Sequence, residues 1–458
     1  MLLLQFFIPK LAHSSYILAG DSTCAVIDPR RDVEIYLEAA RSLELEITHV
    51  IMTHLHADFV AGHMDLAHLT GATIYAPRLG QCSFDHIAVA EGDEILLEDM
   101  VLNVIETPGH TPEHVSYIVV DKARGPQPIG VFCGDTLFVG DVGRPDLFPG
   151  RADELARKLH SCLHEKLMRL PDFCEIYPLH SAGSLCGKAM AAKRRSTIGY
   201  ERLYNGPLQI RDVEQFVPAL TENMPSAPDH FGRSTVTNTQ GPTLVSALPF
   251  PRPMSPSEFL QASKHEKAVV LDTRPYEAFG GQHIQGAYSI DLATNFPTFA
   301  GWVVPPDRDI LLVASNDDDL NEAVTWLRRV GQDNTVGYLE GGMPAWAMAG
   351  LQTEHVPQVS AIDLHRMLAE EPEVVVLDVR STSEFEEGHI DRAVHIEVAH
   401  LRTRYVELDK DKKIVLVCRG GNRAMLSASL LKQRGFHNLT NLSGGMTGYE
   451  AAGFSKRA

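Results

Sequence analysis

The sequence predicts an α/β protein of several domains, and three observations carry that expectation. At 458 residues the chain is too long for a single hydrophobic core, and roughly three domains are expected from length. Its C-terminal part repeats itself. VVLDTRPYEAFGGQHIQGA at 269–287 returns as VVLDVRSTSEFEEGHIDRA at 375–393, and LEGGMPAWAMAG at 339–350 returns as LSGGMTGYEAAG at 442–453. Apolar runs such as AVVLD and KIVLVC read as strands buried on both faces, in a βαβ pattern.

Along the chain, MLLLQFFIPK reads as the first strand of a hairpin that continues through SSYILAGDSTCAVIDP. It has neither the basic n-region nor the cleavage site of a secretory leader, so a cytoplasmic location is expected. Residues 1–245 form one larger domain, with its core at 1–205 and a linker at its end. The stretch 223–253, rich in Pro, Ser, Thr and Gly, reads as that linker. Two small α/β domains follow, at 250–355 and 356–458, each opening on a capped helix (SPSEFLQAS, then SAIDLHRMLAEE).

A net charge of −18 disfavours nucleic acid and anionic membrane surfaces as partners. No run approaches the roughly 20 apolar residues needed to span a bilayer. Small molecules are the expected partners, and the chain is expected to form a homo-oligomer. The seven scattered cysteines, none in a CxxC pair, argue for a reducing compartment and against a structural zinc site.

Four loops of the first domain carry metal-binding residue types. They hold His54, His56 and Asp58 in THLHAD, His110 in TPGHTPEH, Asp135 in CGDTLFVGDVGRPD, and His180 in YPLHSAG. Each follows an apolar run, so turns at the ends of adjacent strands would bring them to one rim. A single histidine after a strand is ordinarily a loop residue; the set points to a metal. Phe59 stands where the cluster would gain a further imidazole.

The set resembles the metallo-β-lactamase fold superfamily, whose T-H-x-H-x-D-H pattern is followed by a later His, Asp and His, over about residues 1–205. The resemblance implies an αββα sandwich. HADF…GH, PGHTPEHVSYIV, GDTLFVGDVGRPDL and HSAGSLCGK are similar to the persulfide dioxygenases of that superfamily, which hold one Fe(II). Carried over, the resemblance makes His54, His110 and Asp135 the iron ligands, a two-imidazole, one-carboxylate set that suits dioxygen chemistry. His56 and Asp58 would orient ligands and water. With phenylalanine at 59, Asp58 and His180 are left as an incomplete second site. Arg144 is expected either to bind a thiol carboxylate or to pair with Asp146 or Asp141. Cys186 is read either as a thiol opening a helix, able to carry a persulfide, or as an inert buried residue.

In the last domain, VLVCRGGNRAMLSASLLKQRG at 415–435 reads as strand, loop and helix. Loop N–H groups of Arg419, Gly420, Gly421 and Asn422, the helix N-terminus and Arg423 surround Cys418 with positive potential. The segment 255–458 resembles the rhodaneses, sulfurtransferases whose cysteine carries a persulfide. Cysteine phosphatases have a similar loop that is one residue longer. Aligned on its strand, the first copy has Ala314 at the cysteine position and Asp317, Asp318 and Asp319 in the loop, so it is expected to be inactive. His283 and His389, kept in both copies, are expected to serve the fold.

The expected function is therefore a mononuclear iron persulfide dioxygenase fused to an inactive and an active rhodanese domain. It would convert a low-molecular-weight persulfide such as glutathione persulfide, with O2, to sulfite, and pass sulfane sulfur through Cys418. The alternatives are a zinc-dependent, glyoxalase II-type thioester hydrolase, and a non-enzymatic sulfur relay.

Overall fold

The computed structural model describes residues 1–222, 224 and 227–454. The chain divides into two units, Met1–Leu248 together with Arg328–Gly331, and Pro249–Leu327 together with the residues from Gln332 onward.

The first unit holds two six-stranded sheets. One sheet runs in sequence order: β1 (Leu2–Ile8), β2 (His13–Ala19), β3 (Thr23–Ile27), β4 (Glu46–Ile51), β5 (Thr73–Pro77) and β6 (Ile87–Val89). The other is built from β7 (Glu94–Leu97), β8 (Met100–Glu106), β9 (Val115–Asp121), β10 (Pro128–Gly134), β11 (Glu175–Pro178) and β12 (Ser196–Thr197). The first two strands form the expected hairpin, registered from Leu2↔Ala19 to Ile8↔His13.

Side chains alternate faces along a strand, and the core follows that period. Tyr16, Leu18, Ala25 and Ile27 meet Leu102, Val104, Tyr117 and Val119 between the sheets. Their neighbours Ile17, Ala19, Cys24 and Val26 face Tyr36, Ala40 and Leu66 of the helices Glu34–Ser42 and His63–Thr70. On the far face of the second sheet, Val131, Cys133 and Ile176 pack with Leu159, Phe216 and Leu220 of the helices Ala152–Ser161 and Val213–Thr221. Helix, sheet, sheet and helix thus stack as four layers, the αββα sandwich.

This topology explains where the loops go. β8 and β10 both run antiparallel to β9, and β11 runs parallel to β10. The carboxyl ends of β8, β10 and β11 therefore share a rim, and the loops bearing His110, Asp135 and His180 leave from it.

The stretch read as a linker is largely ordered structure. Residues 223, 225 and 226 lie outside the described residues, but His230–Gln240 is a helix. Its buried Asn238 donates to the carbonyls of His56 and Phe59, both at 2.9 Å, and accepts from Ala61 N–H at 2.9 Å. His230 Nε2 also lies 3.3 Å from the Asp58 carbonyl. The polar composition that suggested a linker is that of a helix whose amide clamps the loop carrying His56 and Asp58. Asn238→Ala would strand three buried backbone groups. It is expected to lower stability by about 2 kcal/mol or more, measured by urea unfolding. An unchanged midpoint would mean that water replaces the amide.

The second unit contains two five-stranded parallel sheets. β13 (Arg252–Met254), β14 (Ala268–Asp272), β15 (Tyr288–Ser289), β16 (Asp309–Val313) and β17 (Thr335–Leu339) are arranged β13-β17-β16-β14-β15. β18 (Gln358–Val359), β19 (Val375–Asp378), β20 (Val394–His395), β21 (Ile414–Val417) and β22 (Leu439–Leu442) repeat that order as β18-β22-β21-β19-β20. Ser255 and Ser360 cap the opening helices by accepting from Glu258 and Asp363 N–H. His283 and His389 stack on Phe279 and Phe385, and each Nδ1 bonds the same phenylalanine's carbonyl, so both serve the fold. Among the described residues, no helix is long and apolar enough to cross a membrane.

Candidate metal centre and nucleophile loop

His54, His110 and Asp135 come together, fully buried, with one donor atom of each within 4.8 Å of the others. Asp135 Oδ2 lies 3.3 Å from His110 Nε2 and 3.9 Å from His54 Nε2. The opposite nitrogen of each imidazole is tied down. His110 Nδ1–H donates to the Arg144 carbonyl at 2.9 Å, and its Nε2 is buried with no hydrogen-bond partner. His54 Nδ1 bonds Thr53 Oγ1 at 3.0 Å, and that hydroxyl donates to Asp28 at 2.9 Å. Such outer bonds set the tautomer and aim the Nε2 lone pairs inward, as a metal requires. Burial, then the surrounding imidazoles, hold His54 well below the ordinary histidine range. Burial also depresses His110, against the pull of Asp135. Burial thus favours the uncharged form of both rings, the form that ligates a metal.

Burial would raise the Asp135 carboxyl, but His180 and His110 bring it below its usual value. A main-chain fit holds it in place. Gly143 passes so close that a Cβ there would stand 1.9 Å from the Asp135 carbonyl oxygen, which is why the GDVGRPD turn needs glycine at that point.

His56 lies beside the triad, with Nδ1 3.4 Å from His54 Nε2 and Nε2 3.2 Å from Asp28 Oδ1. Phe59 is buried, stacked on His56 at 4.5 Å between ring centroids and 4.3 Å from the ring of His13. Asp58 and His180 approach each other on the other side of Asp135. Burial works against a charged His180, but Asp135 and Asp58 on either side raise it well above its ordinary value.

Two choices left open by the sequence meet the structure here. Arg144 is buried and bound through Nε and Nη2 to Asp146, each contact 2.7 Å, with Nη1 on the Leu185 carbonyl at 3.0 Å. It is a structural brace, because a bidentate carboxylate already fills its fork of donors. Cys186 opens no helix, since residues 181–190 are turns and bends. Burial, with Asp58 and Asp135 nearby, pushes its thiol up to about 12.

In the second unit, Cys418 directly follows β21 and is buried, and Gly421 N–H donates to its sulfur at 3.0 Å. The repeated GGM block exists to reach this loop. Met446 N–H bonds the Cys418 carbonyl at 2.8 Å, and a Cβ on Gly445 would stand 2.2 Å from that oxygen. In the first copy a Cβ on Gly342 would stand 3.3 Å from the Ala314 carbonyl oxygen, a looser form of the same contact, which places Ala314 at the cysteine's station. Arg423 is held bidentately by Glu384 at 2.6 and 2.7 Å, so a carboxylate balances the charge expected to serve the loop.

Cys418 opens into a cavity of about 670 Å³ that both copies line. Arg419, Gly420, Asn422 and Arg423 come from the second copy; Ser289, Asp291, Asn295 and Phe299 come from the first. The copy without a nucleophile thus walls the site of the copy that has one.

Sequence reading missed Asp28, His13, His114, Glu384 and that wall. His114 accepts from Asp135 N–H at 3.0 Å and stacks on His54. It stood within the quoted TPGHTPEH, and an alternative role for the second histidine was its only signal. The others act across distant parts of the chain and left no local pattern.

The Metallo-beta-lactamase superfamily matches residues 8–172, and the Rhodanese-like domain matches 255–349 and 360–452. The mitochondrial persulfide dioxygenase of Mus musculus is 30% identical over 234 residues, 49% of this chain and 83% of that protein. The hydroxyacylglutathione hydrolase of Pseudomonas entomophila (strain L48) is 31% identical over 157 residues, 34% of this chain and 56% of that protein. A crystal structure of a metallo-beta-lactamase from Staphylococcus aureus subsp. aureus COL superposes with a TM-score of 0.67 at 31% identity, covering 74% of this chain and 98% of that one. The chain belongs to the metallo-beta-lactamase superfamily, in a form that carries two C-terminal rhodanese-like domains. It has persulfide dioxygenases among its homologues, is an enzyme by that kinship, and has a buried His/Asp group fit to hold a metal.

Proposed function

We propose that the chain oxidises a low-molecular-weight persulfide with O2 at one iron and transfers sulfane sulfur through Cys418. The observation that carries the reading is the donor set: two imidazoles and one carboxylate, His54, His110 and Asp135, converge in a buried group, and a phenyl ring at 59 stacks on the neighbouring His56. Bound there, Fe(II) would supply the redox activation of dioxygen that a filled-shell zinc ion cannot. The chain's own groups orient that site: Thr53 and the Arg144 carbonyl fix the two imidazoles, and burial of all three donor residues keeps them from bulk water.

The balance is RSSH, O2 and water giving RSH and sulfurous acid, which ionises to sulfite. At the second centre the Cys418 thiolate attacks the outer sulfur of RSSH and RSH leaves. Sulfite then attacks the cysteine's outer sulfur, releasing thiosulfate and restoring the thiolate. The cavity of about 670 Å³ falls within the range of about 300–1,000 Å³ typical of small-molecule sites, which suits an organic persulfide such as glutathione persulfide. Tethering both centres in one chain raises the local concentration of the shared intermediates.

The thioester hydrolase reading draws on the hydroxyacylglutathione hydrolases, of comparable identity. The alignment with the persulfide dioxygenase spans more of that relative, 83% against 56%, and this favours the dioxygenase reading. Iron-loaded protein given glutathione persulfide should consume oxygen and release sulfite, while zinc-loaded protein should not. Thioester hydrolysis by the zinc form, without oxygen uptake by the iron form, would reverse the assignment.

A further inference from the structure

We propose that Tyr276, in the rhodanese-like copy that has no nucleophile, is a positioning residue for sulfur transfer at Cys418. This role rests on the reading of Cys418 as a sulfur carrier, and it concerns what holds the nucleophile loop in its working form.

Main-chain contacts fix that loop around the thiol. Gly421 N–H donates to the sulfur at 3.0 Å, and Met446 N–H donates to the Cys418 carbonyl at 2.8 Å. Thr447 N–H reaches the Arg419 carbonyl at 3.1 Å, so the segment 444–447 underlies the start of the loop. Gly421 is the point where the loop turns into the helix Asn422–Lys432. Its φ of +110° lies in the left-handed region that glycine adopts without steric cost.

Tyr276 stands against both parts. A Cβ on Gly421 would lie 2.7 Å from Cζ, 2.8 Å from Cε2 and 3.0 Å from the hydroxyl oxygen of Tyr276. The ring thus fills the space that a side chain at 421 would need. Its hydroxyl also accepts from Gly444 N–H at 3.4 Å. One side chain therefore touches the glycine that donates to the sulfur and the first residue of the segment that holds the Cys418 carbonyl.

The tyrosine is itself firmly placed. It opens the helix Tyr276–Gly281 directly after Pro275, whose ring restricts the backbone at that turn. Gly280 of this helix lets the second copy come close, since a Cβ there would stand 2.7 Å from Gln358 Nε2 and 2.8 Å from Met425 Cε. Gln358 Nε2 donates to the Glu277 carbonyl at 3.3 Å, and Ser289 N–H donates to Ser429 Oγ at 3.1 Å. The repeat sets Thr382 at the matching position of the second copy, where its hydroxyl donates to Glu397 at 2.6 Å. The fold by itself therefore does not require an aromatic ring at this station.

The chemistry makes use of this support. When the Cys418 thiolate attacks the sulfane sulfur of thiosulfate, a new S–S bond forms at the cysteine. The donor's S–S bond breaks, and sulfite leaves with its electron pair. A fixed N–H orients the attacking sulfur and costs no reorganisation at the moment of reaction. Without the ring, Gly421 has both the freedom of glycine and the room to turn its N–H away.

Sulfur transfer from thiosulfate to cyanide by the full chain tests this, with kcat and KM measured separately and circular dichroism as the check on folding. Tyr276→Ala is expected to lower kcat and kcat/KM together by about 10- to 100-fold, the pattern of an interaction needed in the transition state. Tyr276→Phe keeps the ring against Gly421 and loses one long hydrogen bond, so it should recover to within about fivefold of wild type. Tyr276→Leu keeps apolar bulk but offers no ring to Gly421, and it gives the same answer as alanine if that variant fails to fold. A folded Tyr276→Ala or Tyr276→Leu protein with the wild-type kcat overturns the proposal, as does a Tyr276→Phe protein as impaired as these. A wild type that moves no sulfur from thiosulfate to cyanide overturns the reading of Cys418 itself, and this role with it.

Discussion

Replacing His110 or Asp135 with alanine is expected to strip the metal from the purified protein and reduce persulfide-dependent oxygen uptake to background. Each residue is one of three donors in a buried group. Loss of an outer partner of a metal ligand typically costs about 10- to 100-fold in affinity, and loss of a ligand itself should exceed that. His110→Ala is the cleaner variant, because His110 holds only the Arg144 carbonyl through its other nitrogen. Asp135→Ala also removes the acceptor for His180 Nδ1–H and so disturbs His180 as well. Iron content by elemental analysis and oxygen uptake at an electrode are read together, with circular dichroism to show that the variant is folded. A His110→Ala protein retaining its iron and its rate would remove this residue from the ligand set.

Cys418→Ser is expected to abolish thiosulfate formation while leaving oxygen uptake near the wild-type rate, with sulfite accumulating instead. Serine keeps nearly the size of the side chain, whose sulfur accepts from Gly421 N–H at 3.0 Å, but an alcohol cannot carry a persulfide. No second cysteine can take over in that cavity, because Cys418 is the only thiol among the residues lining it. Sulfite and thiosulfate would be separated after derivatisation, with oxygen recorded on the same samples. If the folded, iron-loaded variant stops consuming oxygen, sulfur must load on Cys418 before oxidation, and the proposed order of steps reverses.

The sequence by itself determined the architecture and pointed to most of the candidate site residues. Alternating strands, two copies of one α/β pattern and four loops carrying His and Asp after apolar runs are local features, and short-range periodicity records them. Cys418 was legible for the same reason, since strand, glycine-rich loop and helix are contiguous. Tertiary structure alone decided what depends on distant segments meeting. Asn238 clamps a loop far from it in the chain, inside a stretch whose Pro and Ser content resembled a linker. Arg144 could equally have bound a substrate carboxylate or an internal one, and only folding places Asp146 in its fork. Glu384 beside Arg423, the wall that the first rhodanese-like copy gives to Cys418, and the meeting of Cys186 with Asp58 and His180 have no sequence signature either. Each is a contact between side chains whose separation along the chain carries no period, so only the packing of the folded chain could bring them together.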